Sequence, residues 1–419
     1  MNPRMTLLLA ALWLALAGPA AAETLRVLTS YPPEMVELYQ QAFARVRPDL
    51  TLEVEYDHGG GALKTLRSPD QGGIDVWWAP AANAFPVLAR EGGLQKLPGL
   101  EAGIETSLRG VALGDPARGL LPFELAGYGL ALRADRLAAR GLPTPARWDD
   151  LAKPIYAGQI ALPVPSAIGY APPMLETLLQ ERGWEQGWAT WAEIAANATL
   201  VDAGGGVAVL NELLDGDRSI ALTMDFFVRP LRKEGKPLTF AYPAPTLLSP
   251  AHVGIPVKAP HPEAARALVA FLLSDQGQTL LFDPAVSRLP VRRAVYAQAP
   301  ADVARPFDPQ AAGGRFDPAL ASARQAAVTA LFDEWIAVRH AKLQTLFAAI
   351  HAAEAKGDRG RAALARAALA HPPLTAAAAA DPALNALLRN PDSAEAKAIR
   401  AGWRNEADQT IEHAFAALH

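Results

Sequence analysis

Apolar positions along the chain fall into short blocks that alternate between the strand period and the helix period. Leu25 to Leu28 is an apolar run ending at Thr29-Ser30-Tyr31; beyond it Met35, Leu38, Tyr39, Ala42, Phe43 and Val46 fall on one helical face. Leu50 to Tyr56 alternates as a second strand, followed by His58-Gly59-Gly60-Gly61 and a helical stretch carrying Lys64 and Arg67. Ile74 to Ala79 is a third, buried strand, and Pro80-Ala81-Ala82-Asn83 opens another helix. Three strand-to-helix units in succession predict a parallel sheet covered by helices on both faces.

The pattern then changes. Leu121 to Leu132 is an extended apolar segment that can carry the chain from one lobe to another. Ile160, Ala161 and Leu162 form a buried strand stopped by Pro163 and Pro165, with Ser166 and Gly169 in the turn and Pro172-Pro173 fitting only the first turn of a helix. Trp184, Trp188 and Trp191 follow at helical spacing, as core residues in preference to ligand-stacking ones. Leu200-Val201-Asp202 runs into Gly204-Gly205-Gly206, and Ser219 to Val228 is an apolar strand interrupted by Asp225. Leu238 to Ala241 and His252 to Val257 read as returning strands, and His261-Pro262 starts an amphipathic helix. The composition shifts to Pro, Gly and Asp between Pro300 and Gly314. Val328 to Ile350 then predicts one long helix, broken near Gly357 and followed by Ala-rich helices punctuated by prolines.

This layout selects candidate ligand contacts. Thr29, Ser30 and Tyr31 sit between a strand's carboxyl end and a helix's amino end, where open α/β sheets bind ligands. Ala79 ends the third strand. Gly59, Gly60 and Gly61 permit close backbone approach, or form a plain flexible turn. Around Ser166, Ala167, Ile168, Gly169 and Tyr170, the hydroxyl and the amides that precede the helix make an anion site, with the positive helix end worth roughly 0.3–1 kcal/mol. An ordinary connection with a serine cap explains the same stretch. Asp225 in its apolar run contacts a ligand or caps a neighbouring helix, with Arg229 near enough in sequence to pair with it.

Composition narrows the classes. Residues 1–22 read as a secretory signal peptide: Arg4, an apolar core from Leu7 to Leu16, and Ala20-Ala21-Ala22. Its removal moves the formal charge from −4 to −5, a mild acidic balance that argues against nucleic acid or an anionic membrane surface as the main partner. Zero cysteines in an exported chain of 419 residues leave the fold to its core and exclude thiolate metal sites and Cys nucleophiles. His-Glu-x-x-His, Gly-x-Ser-x-Gly and phosphate-loop motifs are absent, so a hydrolase is the weakest reading.

Five features together resemble the extracytoplasmic substrate-binding proteins of ABC transporters: the strand ending at Thr29-Ser30-Tyr31, Ile74 to Ala79, Pro165 to Tyr170, Asp225-Phe226-Phe227, and Ser287 to Val291. The branch is the two-lobed type II group that includes ferric-ion, phosphonate, hexose-phosphate and phosphoglycerate-associated members, and the stretch from Phe316 through Asp333 to Glu354 resembles the extension of the last of these. The resemblance implies an α/β periplasmic protein, a monomer without a cofactor or catalytic residues. It would close two hinged lobes on a small anionic solute and present it to an inner-membrane permease or a membrane sensor. On this reading residues 23–122 form lobe 1, completed by about 245–300, residues 123–244 form lobe 2, and 301–419 a C-terminal helical extension. Ferric-binding relatives carry adjacent tyrosines in the second lobe, where this chain has Met224-Asp225-Phe226-Phe227. An organic phosphate, phosphonate or carboxylate therefore fits better than iron, with His58 and Asp225 left as residues that a metal would use.

Overall fold

The computed structural model describes residues 23–57, 61–81, 83–308 and 316–419. The signal-peptide reading, His58, Gly59 and Gly60 lie outside the described residues. The first strand, β1 (Glu23–Thr29), leads into α1 (Pro33–Val46) and is flanked in parallel by β2 (Leu50–Tyr56) and β3 (Val76–Ala79). A short helix, α2 (Ala62–Leu66), follows β2. The apolar face of α1 buries Met35, Val36, Tyr39, Ala42 and Phe43 against this sheet, as its spacing requires.

The segment 121–132 forms one strand, β4 (Leu121–Leu132), all of whose twelve residues are buried. Further along come β5 (Ile160–Pro163), α3 (Ala171–Arg182), α4 (Trp184–Ala196), β6 (Ala198–Val201) and β7 (Ile220–Met224). The chain returns through β8 (Thr239–Ala241) and β9 (Leu248–Gly254), then α5 (Pro262–Leu273) and β10 (Leu289–Pro290). The sheet runs β2-β1-β3-β9-β4-β7-β5-β6, with β8 and β10 also paired to β4. Antiparallel β4 and β9 are the two crossovers. The first part of β4 pairs with β9 and β10, and its last five residues pair with β7. The fold is α/β and two-lobed, with β1 to β3 parallel to one another on one side of the crossovers in the sheet order and β5 to β7 parallel to one another on the other side.

The extension contains α6 (Gln325–Trp335), α7 (His340–Ala355) and the final helix α8 (Ala394–Ala416). Its core is continuous with that of the second lobe: Val328, Leu331, Trp335, Leu343 and Leu346 pack in one cluster with Trp148, Trp184, Trp188 and Trp191. The tryptophans are thus core residues. Arg324 and Glu176, both buried, form a two-bond ion pair at 2.7 and 2.6 Å that fastens the start of α6 to α3.

Two elements differ from the sequence pattern. The predicted helix through 328–350 is two helices, because Ile336 leaves the helix and Arg339 turns inward to donate to the carbonyls of Glu334 and Arg404 and to Asp408 Oδ2 at 2.7 Å. The predicted strand to Val228 stops at Met224, since the Asp225 carboxylate takes the Phe226 N–H at 2.8 Å and bends residues 225–227 into a 3-10 turn.

Candidate functional site

In the first lobe the turn after β1 is tied inward. The Tyr31 N–H donates to Thr29 Oγ1 at 3.1 Å, and the fully buried Tyr31 ring packs on Trp78 and Phe123. Its hydroxyl donates to Glu124 Oε1 at 3.1 Å. Thr29 and Tyr31 therefore shape the wall of the lobe from within, and half-buried Ser30 is the residue of this turn nearest solvent. Ala79 is buried and paired with His252. Gly61, exposed at the start of α2, donates its N–H to Asp57 Oδ1 at 3.0 Å, and the Ala62 N–H goes to the other oxygen. The Asp57 carboxylate thus uses both of these backbone donors.

In the second lobe the stretch after β5 forms the expected strand–turn–helix, with Pro172 and Pro173 in the first turn of α3. The amides divide differently from the expectation that all of them face an anion. Ala167 and Ile168 both donate to Val164 O, at 3.1 and 2.9 Å, and Ala171 donates to Ile168 O. Gly169 and Tyr170 keep amides without a protein acceptor among the described residues, at the amino end of the twelve-residue helix α3. The Ser166 hydroxyl donates to Asp333 Oδ1 at 2.8 Å, a carboxylate on α6. The Tyr170 hydroxyl reaches Leu222 O at 3.2 Å, and burial pushes this phenol up to about 12.

Between the lobes lies a buried charged cluster. Arg288 sits 3.5 Å over the ring centroid of Phe226 from the second lobe, with Nη1 3.7 Å from Glu124 Oε1 on β4. Burial raises Glu124 to about 7, with Arg288 and the Tyr31 hydroxyl opposing the shift. Asp225 is raised by burial to about 6, against donors that hold it: Tyr242 hydroxyl at 2.7 Å, Gly127 N–H at 2.8 Å and Phe226 N–H at 2.8 Å. The bonds from Gly127 and Tyr242 tie the end of β7 to β4 and to the residue that follows β8, while the bond from Phe226 is local. Arg229 does not pair with Asp225; its guanidinium is 3.6 Å from Asp302.

This cluster borders a small cavity of about 60 Å³ lined by Asp225, Arg229, Tyr242 and Arg288, and two larger cavities lie elsewhere. One, of about 540 Å³, has Leu63, Asn83 and Val87 of the first lobe on one side, Ser166 of the second on another, and Thr329, Asp333, Arg389 and Arg400 of the extension on the third. A second, apolar one of about 280 Å³ is bounded by Pro86, Leu113, Tyr128, Pro173, Leu248 and Phe316. Asn83 and Gln325 line both, and Asn83 Nδ2 donates to Gln325 Oε1 at 2.8 Å, joining the first lobe to the extension. Among the described residues no group of three His, Asp or Glu side chains is placed to hold a metal ion.

Residues 111–311 match the family of bacterial extracellular solute-binding proteins. The phosphoglycerate transport regulatory protein PgtC of Salmonella typhimurium is 33% identical over 275 residues, covering 65% of this chain and 67% of the relative. The chain belongs to the bacterial extracellular solute-binding proteins. Solved structures agree at the level of the fold: the Bordetella ferric binding protein superposes with a TM-score of 0.60 at 22% identity, covering 74% of this chain and 98% of that one. The periplasmic binding protein AfuA from Actinobacillus pleuropneumoniae, with fructose-6-phosphate bound, gives 0.53 at 18% identity over 67% and 88%.

Members of this family bind solutes and are not enzymes, and membership places the chain outside the cytoplasm with a membrane permease as partner. No described helix is long and apolar enough to cross a membrane. Within this binding-protein fold the structure brings Ser166 and Asn83 to one cavity, and holds Asp225, Thr29 and Tyr31 in buried supporting bonds. Sequence reasoning missed Glu124, although a lone carboxylate inside an apolar run is the same signal that singled out Asp225. It also missed Asp333, Arg389 and Arg400, which carry no local motif because their partners lie elsewhere in the chain.

Proposed function

We propose that this solute-binding protein takes a small anionic ligand, a phosphate ester first among the candidates, between its two lobes and delivers it to an ABC permease. The observation that carries this reading is Arg389, which lines the 540 Å³ cavity beside Ser166 as a guanidinium without a carboxylate partner among the described residues. The stretch that supplies Ser166 also holds the Gly169 and Tyr170 amides, which have no protein acceptor among the described residues at the positive end of α3. The names of two similar proteins, one concerned with phosphoglycerate transport and one holding fructose-6-phosphate, support the phosphate ester. Phe226 and Phe227 at the turn after β7 offer no phenolate oxygen, which weighs against iron. The protein is expected to act as a monomer, with lobe 1 spanning about 23–122 and 245–300, lobe 2 spanning 123–244, and β4 and β9 as the hinge. A sensing role is the second reading, favoured by the word "regulatory" in the name of the Salmonella relative.

A thermal-shift screen of phosphate esters, phosphonates, carboxylates and ferric salts tests it. Saturating a site at a hundred times Kd adds roughly 2.7 kcal/mol, so a true ligand raises Tm by several degrees. A rise with phosphate esters is expected; stabilisation by a ferric salt alone contradicts the proposal.

A further inference from the structure

The two larger cavities share a wall. Asn83 of the first lobe and Ser322 and Gln325 of the extension line both, and the Asn83 Nδ2–Gln325 Oε1 bond at 2.8 Å lies on the boundary between them. Their chemistry differs. The 540 Å³ cavity carries Arg389, Arg400 and Asp333. Arg400 is taken up by Asp333 Oδ2 at 3.2 Å and Glu334 Oε1 at 2.8 Å, and Arg404 holds the same Glu334 at 2.9 Å. That cluster balances two guanidiniums against two carboxylates. Arg389, without a carboxylate partner among the described residues, therefore leaves this cavity one positive charge in excess.

The 280 Å³ cavity offers no such charge. Its walls include Pro86 and Leu113 of the first lobe, Tyr128 and Leu248 on the two crossovers, Pro173 of the second lobe and Phe316 of the extension. Among the described residues its charged members are Arg109 and Asp115, one of each sign, and both are engaged. Arg109 Nη2 donates to Pro306 O at 3.1 Å, and Asp115 Oδ2 lies 3.4 Å from Arg118 Nε. His252, which also lines the cavity, is buried and held neutral, with Nε2 2.8 Å from Leu113 O. An apolar cavity of roughly 150 Å³ stays dry and takes a benzene-sized molecule, so one nearly twice as large has room for about a two-ring body.

We infer that the two cavities are the two ends of one site, and that the solute is a single acid group on an uncharged, largely apolar body. The acid group lies by Arg389, and the body passes the Asn83–Gln325 wall into the 280 Å³ cavity. This rests on the anion-binding reading above and names the body to which the acid group is attached. A second acid group meets no unpaired cation in the apolar cavity, and a hydroxyl-rich body gives up water there without gaining matched partners. The wall is a bond between two uncharged amides, one of them exposed, so parting it costs little.

Calorimetric titration of the full chain with 2-naphthyl phosphate and with glycerol phosphate tests this, since the two share the acid group and differ in the body. The wild type is expected to bind the naphthyl ester at least about tenfold more tightly, the direction set by burying its rings. Ala321→Leu, which fills the apolar cavity, should bring the two affinities together by weakening the naphthyl ester. Val111→Phe, on another wall, should do the same in case the first variant folds poorly. Arg389→Ala should weaken both esters alike, by about tenfold. Equal wild-type affinities, or a preference that neither filling variant reduces, overturn the inference, while glycerol phosphate binding that depends on Arg389 keeps the anion reading. A naphthyl ester sensitive to filling and indifferent to Arg389 also overturns it, because the cavities are then separate sites. Absence of binding of either ester, or glycerol phosphate binding indifferent to Arg389, overturns the anion reading itself.

Discussion

Glu124 is a carboxyl group raised to about 7 by burial, beside an Arg288 that is only loosely engaged at 3.7 Å. A group whose folded pKa lies above its unfolded value of 4.5 contributes stability at low pH and loses it as pH rises through the folded value. Asp225, raised to about 6, acts in the same direction. His252, lowered by burial to about 4, acts oppositely: below 6.5 the unfolded chain takes up its proton while the buried imidazole stays neutral, so its contribution is present above 6.5 and is lost as pH falls through about 4. The contribution of Glu124 is isolated by difference. Glu124→Gln should gain on the wild type progressively as pH rises from 4.5 through about 7, and a Tm series across that window reads it directly. A constant difference across the window means that the burial of Glu124 does not govern its titration. The single carboxylate in the apolar run 121–132 stands in the sequence, as do Tyr31 and Arg288, but the contacts that join the three span 93 and more positions and carry no local pattern.

At the scale of elements, the strand-to-helix turns were legible because each is set by residues within a few positions. Pro172 and Pro173 at the start of α3, and the stripe Met35–Tyr39–Phe43 on α1, needed no partner to be read. The extension was legible as helix and illegible as architecture. Its break at Ile336 depends on Arg339 finding Arg404 O and Asp408 on α8, some seventy positions away, and Asp333 meets Ser166 across an even longer separation. The same long-range contacts make the extension part of the second lobe's core. Arg324→Ala leaves Glu176 buried and unpaired, and should cost about 3–5 kcal/mol in urea unfolding. Leu331→Ala, at a site with no exposure, should cost about 2–5 kcal/mol. Near-neutral values for both variants contradict a shared core and describe an extension that merely rests against the lobe.

At the scale of the molecule, β4 and β9 are the covalent crossovers between halves whose cores are otherwise separate clusters. A ligand that touches both halves favours the closed arrangement by its differential affinity for it, and a binding protein needs no further machinery to signal occupancy to a membrane partner. The Asn83–Gln325 bond at 2.8 Å adds the extension to that movement, because it spans the first lobe and a helix rooted in the second. The central claim is that the cleft holds an anion with donors supplied by the α3 end and by Arg389. Its most direct test is calorimetric titration of glycerol phosphate, phosphoglycerate and fructose phosphate into the wild-type chain and into Arg389→Ala. The account predicts saturable binding of one ligand per chain, weakened about tenfold or more in the variant, as expected for a lost charge-assisted hydrogen bond. No saturable heat with any of the three esters, or binding that Arg389→Ala leaves untouched, contradicts it.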